Sequence, residues 1–227
     1  MRFDPATDWG IEPAHPDLES SVGRLFGTAA DLTPFLSAAR TDPILGPLVA
    51  KRPGLRIPAV PTPFEAAVRA IIGQLISVAA ARTVLGRLAR RFGQPAGDWC
   101  SFPDAESLAT AGPESLRSLG LTTTKARAIG SLALADRGSE LDWNGLLANP
   151  ERADQVLTAL PGVGRWTSGY IRMRGLADPD AFLPTDLGIV RALEARGVRR
   201  NRIEATAERW RPWRAYATIH LWASLSD

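Results

Sequence analysis

The chain has 227 residues, 45% of them hydrophobic and 22% charged, with a net charge of +3; this is the profile of a globular protein, either one large domain or two small ones sharing a cleft. No apolar run approaches the length of a membrane span and the N-terminus MRFDPATDWG has no signal-peptide core, so a cytoplasmic protein without a membrane partner is expected. One cysteine, Cys100, excludes an internal disulfide and an iron–sulfur cluster, and His15 and His220 alone are a poor basis for a histidine-built metal centre.

Residues 1–20, with three prolines among the first 16, read as an extended or vestigial segment. PDLESSVGRLFG and DLTPFLSAART then read as short helices, and KRPGLRIPAVPTP as a proline-punctuated linker. At Thr62 the start signal is strong: Thr62 as N-cap, Pro63 at the first helical position, and Glu65 completing a capping box. The helix PFEAAVRAIIG places Phe64, Val68, Ile71 and Ile72 on one face. GQLIS, residues 73–77, interrupts it before a second helix, SVAAARTVLGRLARRFG. PDAESLA, PESLRSLG, TTKARAIGSLALA and PERADQVLTAL continue the helical pattern, and no stretch alternates with period two for long. The predicted fold class is all-α.

LPGVG, residues 160–164, joins one of these helices to another that opens at Arg165. Its glycines allow positive φ and leave backbone amides bare. Gly162, Gly164, Arg165 and Thr167 therefore form a candidate site for a DNA phosphate at the positive end of a helix dipole. A plain helical hairpin closed by a glycine cap is the competing reading. LRSLGLTTTKARAI, residues 116–129, echoes this turn. All basic residues but Lys51 and Lys125 are arginines, which suit bidentate phosphate contacts, although a GC-rich genome produces the same bias. The isoelectric point near 9.6 permits a nucleic-acid partner.

Twenty positions after Trp166, in AFLPTDLGIVRAL, stands Asp186, where the next helix starts. It reads as an N-cap, a position that also fixes a carboxylate in space. Trp166 and Tyr170, four residues apart, share a helix face.

Taken together, RPGLRIP, FEAAVRAIIGQLISVAAA, LPGVGRWTSGY, FLPTDLGI and ERWRPWRAYATIHLW resemble the helix–hairpin–helix/Gly-Pro-Asp superfamily of DNA glycosylases, in particular its AlkA type, the 3-methyladenine DNA glycosylases II. The resemblance runs from about Ser21 to Trp222. It implies two helical subdomains, one of residues 21–62 plus 179–227 and a central one of 63–178, flanking a DNA-binding active-site cleft. The helix–hairpin–helix would occupy about 151–174. The β-rich N-terminal domain of longer relatives would be absent or vestigial, which bears on the shape of the pocket.

The same resemblance assigns roles. Asp186 is the expected catalytic carboxylate. Trp166, Tyr170 and Trp222 line the base pocket, while Trp210 and Trp213 are assigned to the core. Leu75 is the wedge that fills the gap left by a flipped base, with Gln74 beside it. Trp166 occupies the position where bifunctional members carry a Schiff-base lysine, implying a monofunctional enzyme without lyase activity. The carbonyls of Thr158, Leu160 and Val163 are candidate ligands for a monovalent cation; no other cofactor is expected. The expected activity is hydrolysis of the N-glycosidic bond of alkylated bases by a monomer acting on damaged double-stranded DNA in base excision repair. Two alternatives stay open at this point: a related glycosylase for deaminated or mismatched bases, and a non-catalytic helix–hairpin–helix module that binds DNA backbone.

Overall fold

In the computed structural model, which describes residues 22–227, helices start where short polar side chains take up free amides. The segment expected over residues 1–20 lies outside the described residues, as does the start of the helix PDLESSVGRLFG, of which residues 22–26 are helical. Helices α1 (Thr33–Ala39) and α2 (Leu45–Lys51) precede the linker. Thr62 then caps α3 (Pro63–Gly73), its hydroxyl accepting from the Glu65 N–H at 3.1 Å. The Glu65 carboxylate does not complete the box. It is buried and accepts instead from Arg69 Nε at 2.7 Å, because a desolvated carboxylate gains more from a guanidinium than from one amide.

Ser77 caps α4 (Val78–Phe92), which leads into a two-residue antiparallel ladder, β1 (Pro95–Ala96) with β2 (Trp99–Cys100), around Gly97. These are the strands among the described residues. Helix α5 (Ala105–Arg117) breaks at Gly112, φ +71°, and Pro113, which divides it into the two short helices anticipated. Thr122 caps α6 (Thr123–Arg137). Helix α7 (Trp143–Ala148) was not anticipated, since six residues are too few to display a period. Helices α8 (Pro150–Ala159), α9 (Arg165–Arg174), α10 (Leu187–Glu194), α11 (Ile203–Ala207) and α12 (Arg214–Ala223) complete an all-α fold.

Two hydrophobic cores organise these helices. The first joins Phe64, Val68, Ile71 and Ile72 of α3 to Leu88, Leu116, Ile129, Leu132, Leu157 and Ile171. The second joins Phe35, Leu45 and Val49 to Leu183, Ile189, Leu193, Trp210, Tyr216 and Leu221. Truncating any of these fully buried aliphatics to alanine costs about 2–5 kcal/mol. Helix α9 serves both cores: Ile171 faces the first, Met173 the second, and Trp166 and Tyr170 pack against each. Its C-terminus passes close to α3 because Gly175 has no side chain; a Cβ there would lie 2.8 Å from Ala66 Cβ. The seam between the cores is therefore lined by α9. Trp210 is buried with its indole donating to Asp42 Oδ2 at 3.0 Å, and Trp213 packs edge-on against Tyr216.

Candidate active site

The two similar turns can be compared directly. In the first, Gly120 adopts φ +97° and Thr122 stands two residues later as the cap of α6, its hydroxyl accepting from the Lys125 N–H. In the second, Gly162 adopts φ +78° and Gly164 stands where the cap would be, with no side chain to accept from α9. The amides of α9's first turn are therefore left for an external acceptor. The two glycines differ in kind. A Cβ on Gly162 would meet Ala128 Cβ at 2.7 Å, so its absence is required by packing as well as by backbone conformation. Gly164 has ordinary φ and no atom within 4 Å of its would-be Cβ, so its absence leaves open space in front of the helix start.

Arg165 is exposed beside this space and pairs with Glu204 of α11 at 3.3 Å. Such a surface pair is worth about 0–1 kcal/mol, so a phosphate can displace the carboxylate at small cost. The side chain of Thr167 does not face this space: it is only 2% exposed and its Oγ1 accepts from Gln74. What Thr167 can offer an external anion is its backbone N–H.

Asp186 caps α10, and its carboxylate does more than cap. Oδ1 accepts from the Ile189 N–H at 3.0 Å and from Trp222 Nε1 at 2.8 Å, while Oδ2 accepts from Trp166 Nε1 at 2.9 Å. Three donors from three helices thus fix one half-buried carboxylate at the seam. Gly188 keeps the surroundings small, since a Cβ there would lie 3.0 Å from Asp186 Oδ1 and 3.1 Å from the Trp222 ring. Trp166 stacks on Tyr170 with centroids 5.5 Å apart, and the Arg174 guanidinium lies 5.9 Å from the far partner of that pair. The family resemblance groups these three aromatics in the base pocket, but it does not give the two indole bonds to the aspartate; an indole N–H in need of an acceptor is the signal in the sequence that could have found them.

Leu75 lies in the α3–α4 break. It is 100% exposed and has φ +55°, a backbone region that leucine rarely enters. Ile76 and Val78 beside it are also exposed, forming a small apolar projection. Gln74 does not project with it. Its Nε2 donates to the Gly162 carbonyl at 2.9 Å and to Thr167 Oγ1 at 2.8 Å, tying the break to the glycine hairpin. Lys125 was not singled out as a site residue. Its ammonium donates to the carbonyls of Ile72 and Gln74 at 2.8 and 2.6 Å, and burial lowers its pKa below the ordinary lysine value.

At the hairpin's other side, Thr158 lies in the last turn of α8, where helix carbonyls lack intrahelical amides. The Leu160 carbonyl accepts the Val163 N–H at 3.1 Å and keeps a second lone pair. A set of neutral carbonyl oxygens suits a hard monovalent cation. Among the described residues no group of three His, Cys, Asp or Glu side chains is placed to hold a metal ion, and no helix is long and apolar enough to cross a membrane.

Residues 68–215, more than half the chain, match the family model for the HhH-GPD superfamily of base excision DNA repair proteins. The chain is 37% identical over 216 residues to DNA-3-methyladenine glycosylase 2 of Escherichia coli, covering 94% of this chain and 73% of that one. It is 41% identical over 211 residues to a probable bifunctional transcriptional activator/DNA repair enzyme AlkA of Mycobacterium tuberculosis, covering 89% of this chain but only 41% of that relative's length. Among solved structures, the 3-methyladenine DNA glycosylase of Archaeoglobus fulgidus superposes with a TM-score of 0.78 at 24% identity, over 91% of this chain and 73% of that one, a likeness of fold.

Proposed function

Because the chain belongs to the HhH-GPD superfamily of base excision DNA repair proteins, we propose that it is a DNA glycosylase that flips alkylated bases of the 3-methyladenine type out of duplex DNA and hydrolyses their N-glycosidic bond. The lesion class follows the name of the Escherichia coli relative. The observation that carries the reading is the triple-donor hold on Asp186 at the seam of the two cores. A module that only grips phosphates has no use for a carboxylate so fixed.

The free amides of α9 and the Arg165 guanidinium hold a phosphate of the damaged strand, and Leu75 enters the stack as the base leaves it. Trp166, Tyr170 and Trp222 line the space that receives the base, where aromatic faces favour a cationic ring. When the bond from C1′ to the base nitrogen breaks, its electron pair goes to the base, which leaves neutral because alkylation had made it a cation. Positive charge develops on the sugar beside Asp186, whose carboxylate stabilises it and orients a water. The water oxygen bonds to C1′ and its proton passes to solvent through the carboxylate. Trp166 has no amine to attack C1′, so the product is an abasic site in an unbroken strand.

No redox or organic cofactor enters these steps. A monovalent cation held by the Thr158, Leu160 and Val163 carbonyls would add positive charge next to the bound phosphate. One chain carries every group named, so a monomer suffices.

The test is to incubate the protein with methylated duplex DNA, identify the released material by chromatography and add borohydride to trap any imine. Free methylated purines and no covalent adduct are expected. Failure to release a base would overturn the activity, and a trapped adduct would overturn the hydrolytic route.

A further inference from the structure

The α3–α4 break is held from two sides at one residue. From one side, Lys125 Nζ, on the first turn of α6, donates to the carbonyls of Ile72 and Gln74. From the other, the Gln74 side chain donates to Gly162 O and Thr167 Oγ1. The carbonyls that Lys125 takes lie at the C-terminal end of α3, where the helix has acceptors without amides and the negative end of its dipole. A cation there satisfies both. The next residue is Leu75, fully exposed and at positive φ, with no contact of its own to keep it so. Freed of restraint, a leucine backbone relaxes towards the helical or extended regions, which re-aims its side chain.

We infer that Lys125 is a positioning residue for the wedge: by fixing the Gln74 carbonyl it presets the exposed conformation of Leu75, and it acts on base extrusion only through that side chain. The inference rests on the reading of Leu75 as the residue that enters the stack. A preset wedge contributes its whole apolar side chain when the base leaves, whereas a mobile one must first be ordered. Burial, which lowers the Lys125 pKa, withdraws the ammonium from solvent and leaves the two carbonyls as its partners.

The test is a double-mutant cycle of Lys125→Met and Leu75→Ala, read as single-turnover base release from a duplex with the lesion correctly paired and from one with it opposite a mismatch. Lys125→Met should slow release from the paired duplex about tenfold, one decade being about 1.4 kcal/mol, and slow release from the mismatched duplex much less. In the Leu75→Ala background the same substitution should have little further effect. Additive losses in the double mutant would overturn the inference, because Lys125 would then act elsewhere, and so would an undiminished rate in Lys125→Met alone. A Leu75→Ala variant with wild-type release from the paired duplex would instead remove the wedge reading, and the clamp's purpose with it. Should Lys125→Met fail to fold, Lys125→Gln keeps a shorter donor and completes the same cycle.

Discussion

Replacing Trp222 with phenylalanine separates two things the indole does. Phenylalanine keeps an aromatic face for a base but has no N–H, so Asp186 Oδ1 loses the 2.8 Å bond and retains only the Ile189 amide at 3.0 Å. A hydrogen bond to a charged group contributes roughly 1.5–3 kcal/mol; because the carboxylate is only half-buried and water can replace part of it, the low end, about 1.5–2 kcal/mol, is the appropriate figure. That corresponds to a fall of about 10- to 30-fold in the single-turnover rate of base release. Affinity for a duplex containing an abasic site should stay near the wild-type value, since the phosphate contacts are untouched. The assay is single-turnover release with enzyme in excess, beside equilibrium binding to the abasic duplex. A wild-type rate of release would show that Trp222 serves only as a wall of the pocket and that its bond to Asp186 is incidental.

Gly164→Asp should leave thermal stability within a few tenths of a kcal/mol, because aspartate is a good N-cap, yet weaken duplex binding at least about tenfold by occupying the amides of α9; unchanged binding in a fluorescence titration would remove the hairpin from the interface. Gly162→Ala should lower stability by about 1–3 kcal/mol in denaturant unfolding, through its φ of +78° and the 2.7 Å approach to Ala128; an unchanged midpoint would refute that packing argument. His220 is buried, and desolvation lowers its pKa to about 4, so the fold accommodates the neutral ring. Its contribution is complete above the unfolded value near 6.5 and is lost as pH falls towards 4, a loss of up to about 3 kcal/mol that His220→Gln should largely abolish in unfolding measured across that window.

The helical class and several helix starts were legible because their causes are local. Thr62, Ser77 and Thr122 each accept from the amide three residues on, as short polar side chains before an apolar run do. The break at Gly112–Pro113 was equally plain. What the sequence concealed is contact at a distance. Nothing in PFEAAVRAIIGQLIS says that Gln74 will turn towards Gly162, 88 positions away, or that Lys125 will close the end of α3. The Glu65 box failed for a similar reason: a local motif predicts one partner, and burial beside Arg69 supplied a better one. Asp186 is a mixed case. Its capping bond to Ile189 follows from sequence position, whereas the two indole donors depend on how α9 and α12 meet across the seam.

If the carboxylate of Asp186 turns a DNA-binding fold into a hydrolase, Asp186→Asn should remove the hydrolysis and leave the rest. Asparagine caps a helix as well as aspartate does, and its carbonyl can still take the Ile189 and Trp222 donors, so the fold and duplex binding should survive. Its amide would face the Trp166 N–H donor to donor, a local cost of about 1 kcal/mol. The charge beside the developing sugar cation would be gone, and base release from methylated duplex DNA should fall by at least about two to three decades. The expected result is a folded protein that binds the duplex and releases almost no base. A variant that releases methylated purines at the wild-type rate would contradict it.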